Sequence, residues 1–233
     1  MLLLKKKKYA ALNVVNWGTK DEQIVKEVKG LDMVRRDWCQ LSKSVGNKVL
    51  EEILSGKERE AIVLELNNYL CEVGKKMKDG TMNLAEYVIT KQLTRAPSEY
   101  ADFKSLPHVI VADRLIKSGV KTSSDLVNNF IGYVICKQGE GDQEEEKKDG
   151  MGSSNQKFSF EKSSYSFEEV MQSRGKLKPD VDWYIIQQLM PPISRLIQNI
   201  DGLEVDFVAQ CLGVDPKKYK FHSSALSGEN QEN

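Results

Sequence analysis

The chain has 233 residues, of which 40% are hydrophobic and 29% charged, enough apolar material for one or two folded domains and too much for wholesale disorder. Its longest apolar run falls far short of the roughly 20 residues that cross a bilayer, which excludes a membrane-spanning helix. Lys+Arg and Asp+Glu each number 34, yet residues 1–138 carry 23 basic and 17 acidic side chains, a balance of +6, and the rest carries −6. The neutral total therefore leaves an anionic partner open for the first half. Four cysteines (Cys39, Cys71, Cys136, Cys211) contain no CxxC pair, and His108 and His222 are the two histidines. This excludes a structural zinc site of ordinary ligand spacing and argues against a disulfide framework. The expectation is four reduced, mostly buried thiols in an intracellular protein.

The chain does not begin like a domain. Leu2 to Leu4 read as the tail of a buried strand whose partners lie elsewhere, and three leucines followed by lysines do not make a secretory signal. Lys5 to Lys8, the run Tyr9–Val15, the turn cluster Asn16–Asp21 and the run Gln23–Lys29 together predict a β-hairpin over residues 2–29 with a basic first strand. From Gly30 the period changes: Leu31, Val34, Trp38 and Leu41 recur at helical spacing, followed by a second segment with Val49, Leu50, Ile53 and Leu54. A helix is predicted over 57–78, with Ile62, Leu66, Tyr69, Leu70, Val73 and Met77 on one stripe and Gly80 just beyond it.

Residues 84–93 suit a short strand, Pro107 opens a helix to about Lys117, and Phe130–Cys136 reads as a buried strand. Residues 138–157 hold one apolar side chain, Met151, and no aromatic, which predicts a disordered acidic insertion. Order returns at Phe167–Gln172. A helix over 180–199 should kink or break at Pro191 and Pro192, and a last helix over 204–212 should end at Gly213 before a frayed polar tail.

No GxSxG, P-loop or HExxH is present, and no pair of aspartates ends an apolar strand as two-metal nucleotidyl transfer requires. His108 reads as a polar helix-entry residue. The informative features are basic. Lys5, Lys6, Lys7 and Lys8, read as one strand, put positive charge on both faces of a ribbon, and Tyr9 adds a ring that can lie against a sugar or base. A solvated lysine cluster or a nuclear import signal fits the same residues. Arg35 and Arg36, read on a helix, point about 100° apart, so one can reach a phosphate while the other pairs with Asp37 or Asp32.

Taken in order, these segments resemble family B DNA polymerases. LLKKKKYAAL (Leu3–Leu12) is similar to that family's lysine–lysine–basic–tyrosine motif. The resemblance continues through KGLDMVRRDWC (Lys29–Cys39), ITKQLTR (Ile89–Arg95), Tyr100, LPHVIVA (Leu106–Ala112), GYVIC (Gly132–Cys136), VDWYIIQQL (Val181–Leu189), Asp201-Gly-Leu203 and LGVD (Leu212–Asp215). It departs at Ser123–Gly132, where the family usually has Gly-Asp before the strand, and in the long acidic insertion.

The resemblance implies an α+β fold: a palm-derived β-hairpin, then a mainly helical thumb with a small amount of strand. Residues 1–29 would be the end of the palm, 30–137 the first part of the thumb, 138–157 the insertion, 158–222 the C-terminal thumb helices and 223–233 a disordered tail. It implies a replicative, nuclear enzyme that extends RNA primers, of which this segment grips the primer–template duplex. Lys5, Lys6, Lys7, Lys8, Tyr9, Arg35, Arg36 and Lys91 would be the DNA-binding residues. None of the upstream patterns Asp-x-x-Ser-Leu-Tyr-Pro, Asn-Ser-x-Tyr-Gly or Asp-Thr-Asp occurs, so no catalytic residue or cofactor is expected in this chain; magnesium belongs to the complete polymerase. The implied partners are the duplex, the upstream palm and other polymerase domains, primase and accessory subunits, and no membrane. Two other readings stay open, a stand-alone non-catalytic nucleic-acid-binding protein and a helical protein-interaction module.

Overall fold

A computed structural model describes residues 1–137, 158–198 and 200–217; the predicted insertion and the predicted tail from 223 lie outside the described residues. In chain order the elements are β1 (Leu2–Lys5), β2 (Lys8–Val15), β3 (Gln23–Lys29), α1 (Gln40–Ile53), α2 (Arg59–Lys78), β4 (Ile89–Gln92) and α3 (Pro107–Lys117). There follow α4 (Ser123–Leu126), β5 (Phe130–Ile135), α5 (Phe160–Ser163), β6 (Ser164–Tyr165), α6 (Phe167–Gln172), α7 (Val181–Tyr184), a π-helical turn (Ile185–Leu189), α8 (Met190–Ile197) and α9 (Val205–Leu212). The mixed helix-and-sheet class expected from the sequence is the class observed. Two compact units divide the chain, one of residues 1–82 with 181 onward, the other of residues 83–180.

The first unit is a three-stranded antiparallel sheet in the order β1-β2-β3 with the helices α1, α2, α8 and α9. Leu2 to Leu4 find their partner within the chain, because Leu2 lies opposite Ala10 and Leu3 opposite Tyr9, so the expected orphan strand is the sheet's edge. Leu41, Val45, Val49 and Leu50 bury one face of α1, and Ile62, Leu66, Leu70, Val73 and Met77 bury one face of α2, the stripe the periodicity predicts. Lys26 of β3 reaches Glu51 of α1 at 2.7 Å and ties ribbon to helix.

The expected break at Pro191 and Pro192 is a widening of the helix instead, and it has a direct cause. Proline has no N–H, so Pro192 cannot bond the carbonyl four residues back, at Gln188. The Ser42 hydroxyl donates to that carbonyl at 2.5 Å, and the Cys39 N–H donates to Gln188 Oε1 at 3.0 Å. The helix runs on from 181 to 197 and widens into a π-helical turn just ahead of the prolines.

Helices α2 and α9 meet backbone to backbone at Gly74. A Cβ there would sit 2.7 Å from the Cys211 carbonyl oxygen and 2.8 Å from Leu212 Cα. Gly74→Ala gains about 1 kcal/mol of helix propensity, but the facing atoms are backbone and cannot swing aside. Steric overpacking of roughly 3 kcal/mol wins, for an expected net loss of about 2 kcal/mol in urea unfolding followed by circular dichroism.

The second unit is a sheet of order β4-β5-β6 covered by α3. Tyr133, Val134 and Ile135 of β5 and Val109, Val111 and Ala112 of α3 are among the buried residues of the unit. Arg114 of α3 donates to the Ser164 carbonyl, pairs with Glu169 at 2.7 Å and lies 4.9 Å from the Tyr165 ring centre. At the departure from the family pattern, Thr122 and Asp125 form a reciprocal cap on α4 and Asn128 takes a φ of +65°, and the chain enters β5 without a Gly-Asp turn.

Candidate nucleic-acid interface

The four lysines do not lie along one strand, as the sequence reading had them. Lys5 ends β1, Lys6 and Lys7 form the connection, and Lys8 opens β2 opposite Lys5. The reason is that LLLK and KYAAL pair with each other antiparallel, so the chain must reverse inside the lysine run. Lys7 takes a φ of +65°, uncommon for a residue with a side chain.

Gly30, with a φ of +66°, packs directly under this reversal: a Cβ on it would run into the Lys7 carbonyl oxygen and lie 3.3 Å from Lys8 Cγ. Lys5, Lys6 and Lys7 are exposed and Lys8 is half-buried. Among the described residues none of the four ammonium groups is paired with a carboxylate.

Tyr9 is held beside the turn by the third strand. Tyr9 faces Lys29 and Ala11 faces Glu27, so Tyr9, Asn13, Glu27 and Lys29 share one face of the ribbon. The Tyr9 hydroxyl donates to Glu27 Oε1 at 3.1 Å, Asn13 Nδ2 donates to Glu27 Oε2 at 2.8 Å, and Lys29 Nζ lies 2.6 Å from Glu27 Oε1 and 5.8 Å from the Tyr9 ring centre. The bonds from Lys29, Asn13 and Tyr9 hold the Glu27 carboxyl below its usual range, and Glu27 in turn raises Lys29. Glu27, Lys29 and Asn13 escaped the sequence reading. Their signal was the hairpin register, which sets the lone glutamate of β3 opposite Ala11, two residues from Tyr9 and on its face of the ribbon.

Arg35 and Arg36 are not on a helix. The helical spacing from Leu31 yields a single 3₁₀ turn at Asp32–Val34, and Arg35 is extended, with φ −87° and ψ 148°. A buried contact overrides the period: Asp32 turns inward to Arg195 Nε at 2.7 Å, beside the Trp38 ring, which lies 5.8 Å from the Arg195 guanidinium. Arg35 grips Asp37 through two nitrogens at 3.1 and 2.7 Å on an exposed surface, a pair worth under about 1 kcal/mol and easily exchanged for a phosphate. Arg36 is exposed on the same segment.

Lys91 stands in the second unit, exposed on β4 opposite Ile131, so the structure gathers Lys5–Tyr9 at one turn and carries Lys91 on a separate body. His108, expected as a polar helix-entry residue, does open α3 but is 2% exposed. Burial first, and the Lys91 charge second, push its pKa down to about 4 from 6.5. Between those values the unfolded chain binds a proton that the folded chain refuses, so stability rises with pH across that window and is lost as pH falls through it. Going from pH 7 to pH 4 should cost on the order of 3 kcal/mol at this residue. Urea unfolding at a series of pH values checks this, and His108→Gln should flatten the dependence between pH 6.5 and 4. Glu52, lowered to about 2 chiefly by Lys48, acts below that window.

The cysteine expectation holds for two of four thiols: Cys39 and Cys136 are buried, whereas Cys71 is exposed and Cys211 half-buried. Among the described residues no group of three or more His, Cys, Asp or Glu side chains is placed to hold a metal ion. No helix among them is long and apolar enough to cross a membrane.

Residues 1–200 match the family described as DNA polymerase family B. The chain is 57% identical over 224 residues to the DNA polymerase alpha catalytic subunit of Oxytricha trifallax, covering 96% of this chain and 14% of that protein. It is 52% identical over 231 residues to the same subunit of Sterkiella nova, covering 99% and 15%, and 37% identical over 222 residues to that of Xenopus laevis, covering 95% and 14%. The chain thus spans about one seventh of the length of these curated relatives. Among solved structures it is similar to the family B DNA polymerase of the hyperthermophilic archaeon Pyrobaculum calidifontis, with a TM-score of 0.57 and 27% identity over 85% of this chain and 21% of that one. A match across most of the chain, carried by relatives well above 30% identity, places it: this chain belongs to DNA polymerase family B.

Proposed function

We propose that this chain is the duplex-gripping part of a nuclear, replicative DNA polymerase of the alpha type, which extends RNA primers. The observation that carries the reading is the Lys5–Tyr9 turn: ammonium groups without carboxylate partners among the described residues, on an exposed reversal, beside a tyrosine fixed by Glu27. A turn of this kind presents its charges to one stretch of phosphates, and Tyr9 can lie in the groove between them. An RNA-primed duplex has a wide, shallow minor groove, which suits backbone and shape contacts over base reading. In this reading residues 1–29 end the palm, the following helices form the thumb, and Arg35, Arg36 and Lys91 add phosphate contacts.

The carboxylates and magnesium of nucleotidyl transfer would come from other parts of the polymerase, and this chain alone should not extend a primer. The upstream palm, primase and accessory subunits are the partners of this reading. The β2–β3 ribbon favours such company. Leu12, Val14 and Ile24 are exposed on one face of it and Trp17 is 78% exposed at its turn, apolar surface suited to covering by further protein.

The site is tested by reductive cross-linking of the chain to an RNA-primed DNA duplex bearing an aldehyde at a backbone position near the primer end. Peptide mapping should find the adduct on Lys6, Lys7 or Lys8. Adducts confined to other lysines would overturn the assignment.

A further inference from the structure

We propose that Cys71 and Cys211 form a reversible thiol–disulfide site on the α2–α9 pair, oxidised by hydroperoxides. The two thiols lie on the helices that Gly74 allows to touch. Gly74 is one turn beyond Cys71 on α2, and its missing side chain leaves room for the Cys211 carbonyl and for Leu212. Such a close approach is what a disulfide needs, since its Cα atoms lie about 4.4–6.8 Å apart.

The two sulfurs are close enough to act on one another, and neither is in a disulfide. Burial, together with the neighbouring Cys71 sulfur, pushes the Cys211 thiol up to about 12, which keeps it protonated. The exposed Cys71 is therefore the sulfur that meets an oxidant. By contrast, Cys136 is buried, with its thiol also pushed up to about 12 by burial and by Asp180 and Glu169, and Cys39 is buried as the cap of α1.

The step balances with hydrogen peroxide as the two-electron oxidant. The Cys71 thiolate attacks one peroxide oxygen; an S–O bond forms, the O–O bond breaks, and the leaving hydroxide takes up the proton that Cys71 lost. The Cys211 sulfur then attacks the Cys71 sulfur; an S–S bond forms, the S–O bond breaks, and the Cys211 proton leaves with the second hydroxide as water. Both sulfurs are oxidised and both oxygens end as water. A thiol reductant reverses the bond.

The test treats the full chain with hydrogen peroxide, alkylates the remaining thiols with iodoacetamide and maps the peptides by mass. The expected product is a Cys71–Cys211 linked peptide, lighter by two hydrogens than the reduced pair and restored by dithiothreitol, with Cys39 and Cys136 alkylated under denaturing conditions. Cys71→Ser and Cys211→Ser should each abolish the link, and circular dichroism of each variant should match the parent. Accumulation of sulfinic acid on Cys71 with Cys211 fully alkylated, or a bond only between two chains, would overturn the proposal.

Discussion

Replacing Lys6, Lys7 and Lys8 together with alanine should flatten the salt dependence of duplex binding by about two to three units on a log–log plot, because each phosphate contact contributes a slope of roughly 0.9. The loss should be uniform across duplex sequences, since phosphate contacts carry no base information. Fold stability should change little. Lys6 and Lys7 are exposed residues of a turn, and among the described residues no ion pair depends on them. Fluorescence anisotropy across a salt series, with urea unfolding in parallel, separates the two effects. An unchanged slope would remove these lysines from the interface.

Gly30→Ala should weaken binding without removing any charge. Its φ of +66° already penalises a side chain, and the Cβ would drive into the Lys7 carbonyl, an atom of the lysine turn itself. Left-handed backbone strain costs roughly 1–2 kcal/mol and overpacking about 1–3 more. The expected destabilisation is therefore about 2–5 kcal/mol, together with a displaced turn and at least a tenfold loss of affinity at fixed salt. Gly18→Ala is the matched control. It has a comparable φ of +74°, but nothing lies within 4 Å of the added Cβ, so it should cost only the strain of about 1–2 kcal/mol and leave binding unchanged. Equal effects of the two substitutions would show that the packing under the lysine turn has no role.

Much of this architecture was legible where local chemistry decides structure. Pro107 and Lys117 bound α3 as predicted, Phe130–Ile135 is a strand buried apart from its first residue and half-buried Gly132, and Gly80 and Gly213 end their helices with φ of +68° and +84°. The misreadings came where a distant partner intervenes. Leu31, Val34 and Trp38 have helical spacing, but Asp32 is drawn inward by Arg195, far along the chain, and the segment straightens. The π-helical turn at Ile185–Leu189 is held by the Ser42 hydroxyl, which donates to the Gln188 carbonyl that Pro192 leaves free, and by the Cys39 N–H, which donates to the Gln188 side chain, a pairing that no local window contains.

For the candidate site the lysine run itself was plain, but its shape was not. A run of identical residues gives no register, and only the pairing of Leu2 with Ala10 shows that the chain turns within it. The same pairing, extended to Ala11 opposite Glu27, explains why Tyr9 is held in place and why the residues that hold it could not be chosen from the sequence alone. Lys91 was named by resemblance, and its own unit gives it an exposed place on β4 and an influence on His108.

The measurement that tests the central claim most directly is a salt titration of the full chain on a short RNA-primed DNA duplex by fluorescence anisotropy, with nucleotides and magnesium added at the end. Four to six phosphate contacts predict a slope of about −4 to −5 on a log–log plot and no primer extension. A slope near zero, or no binding at low salt, would contradict the proposal that this chain grips the duplex.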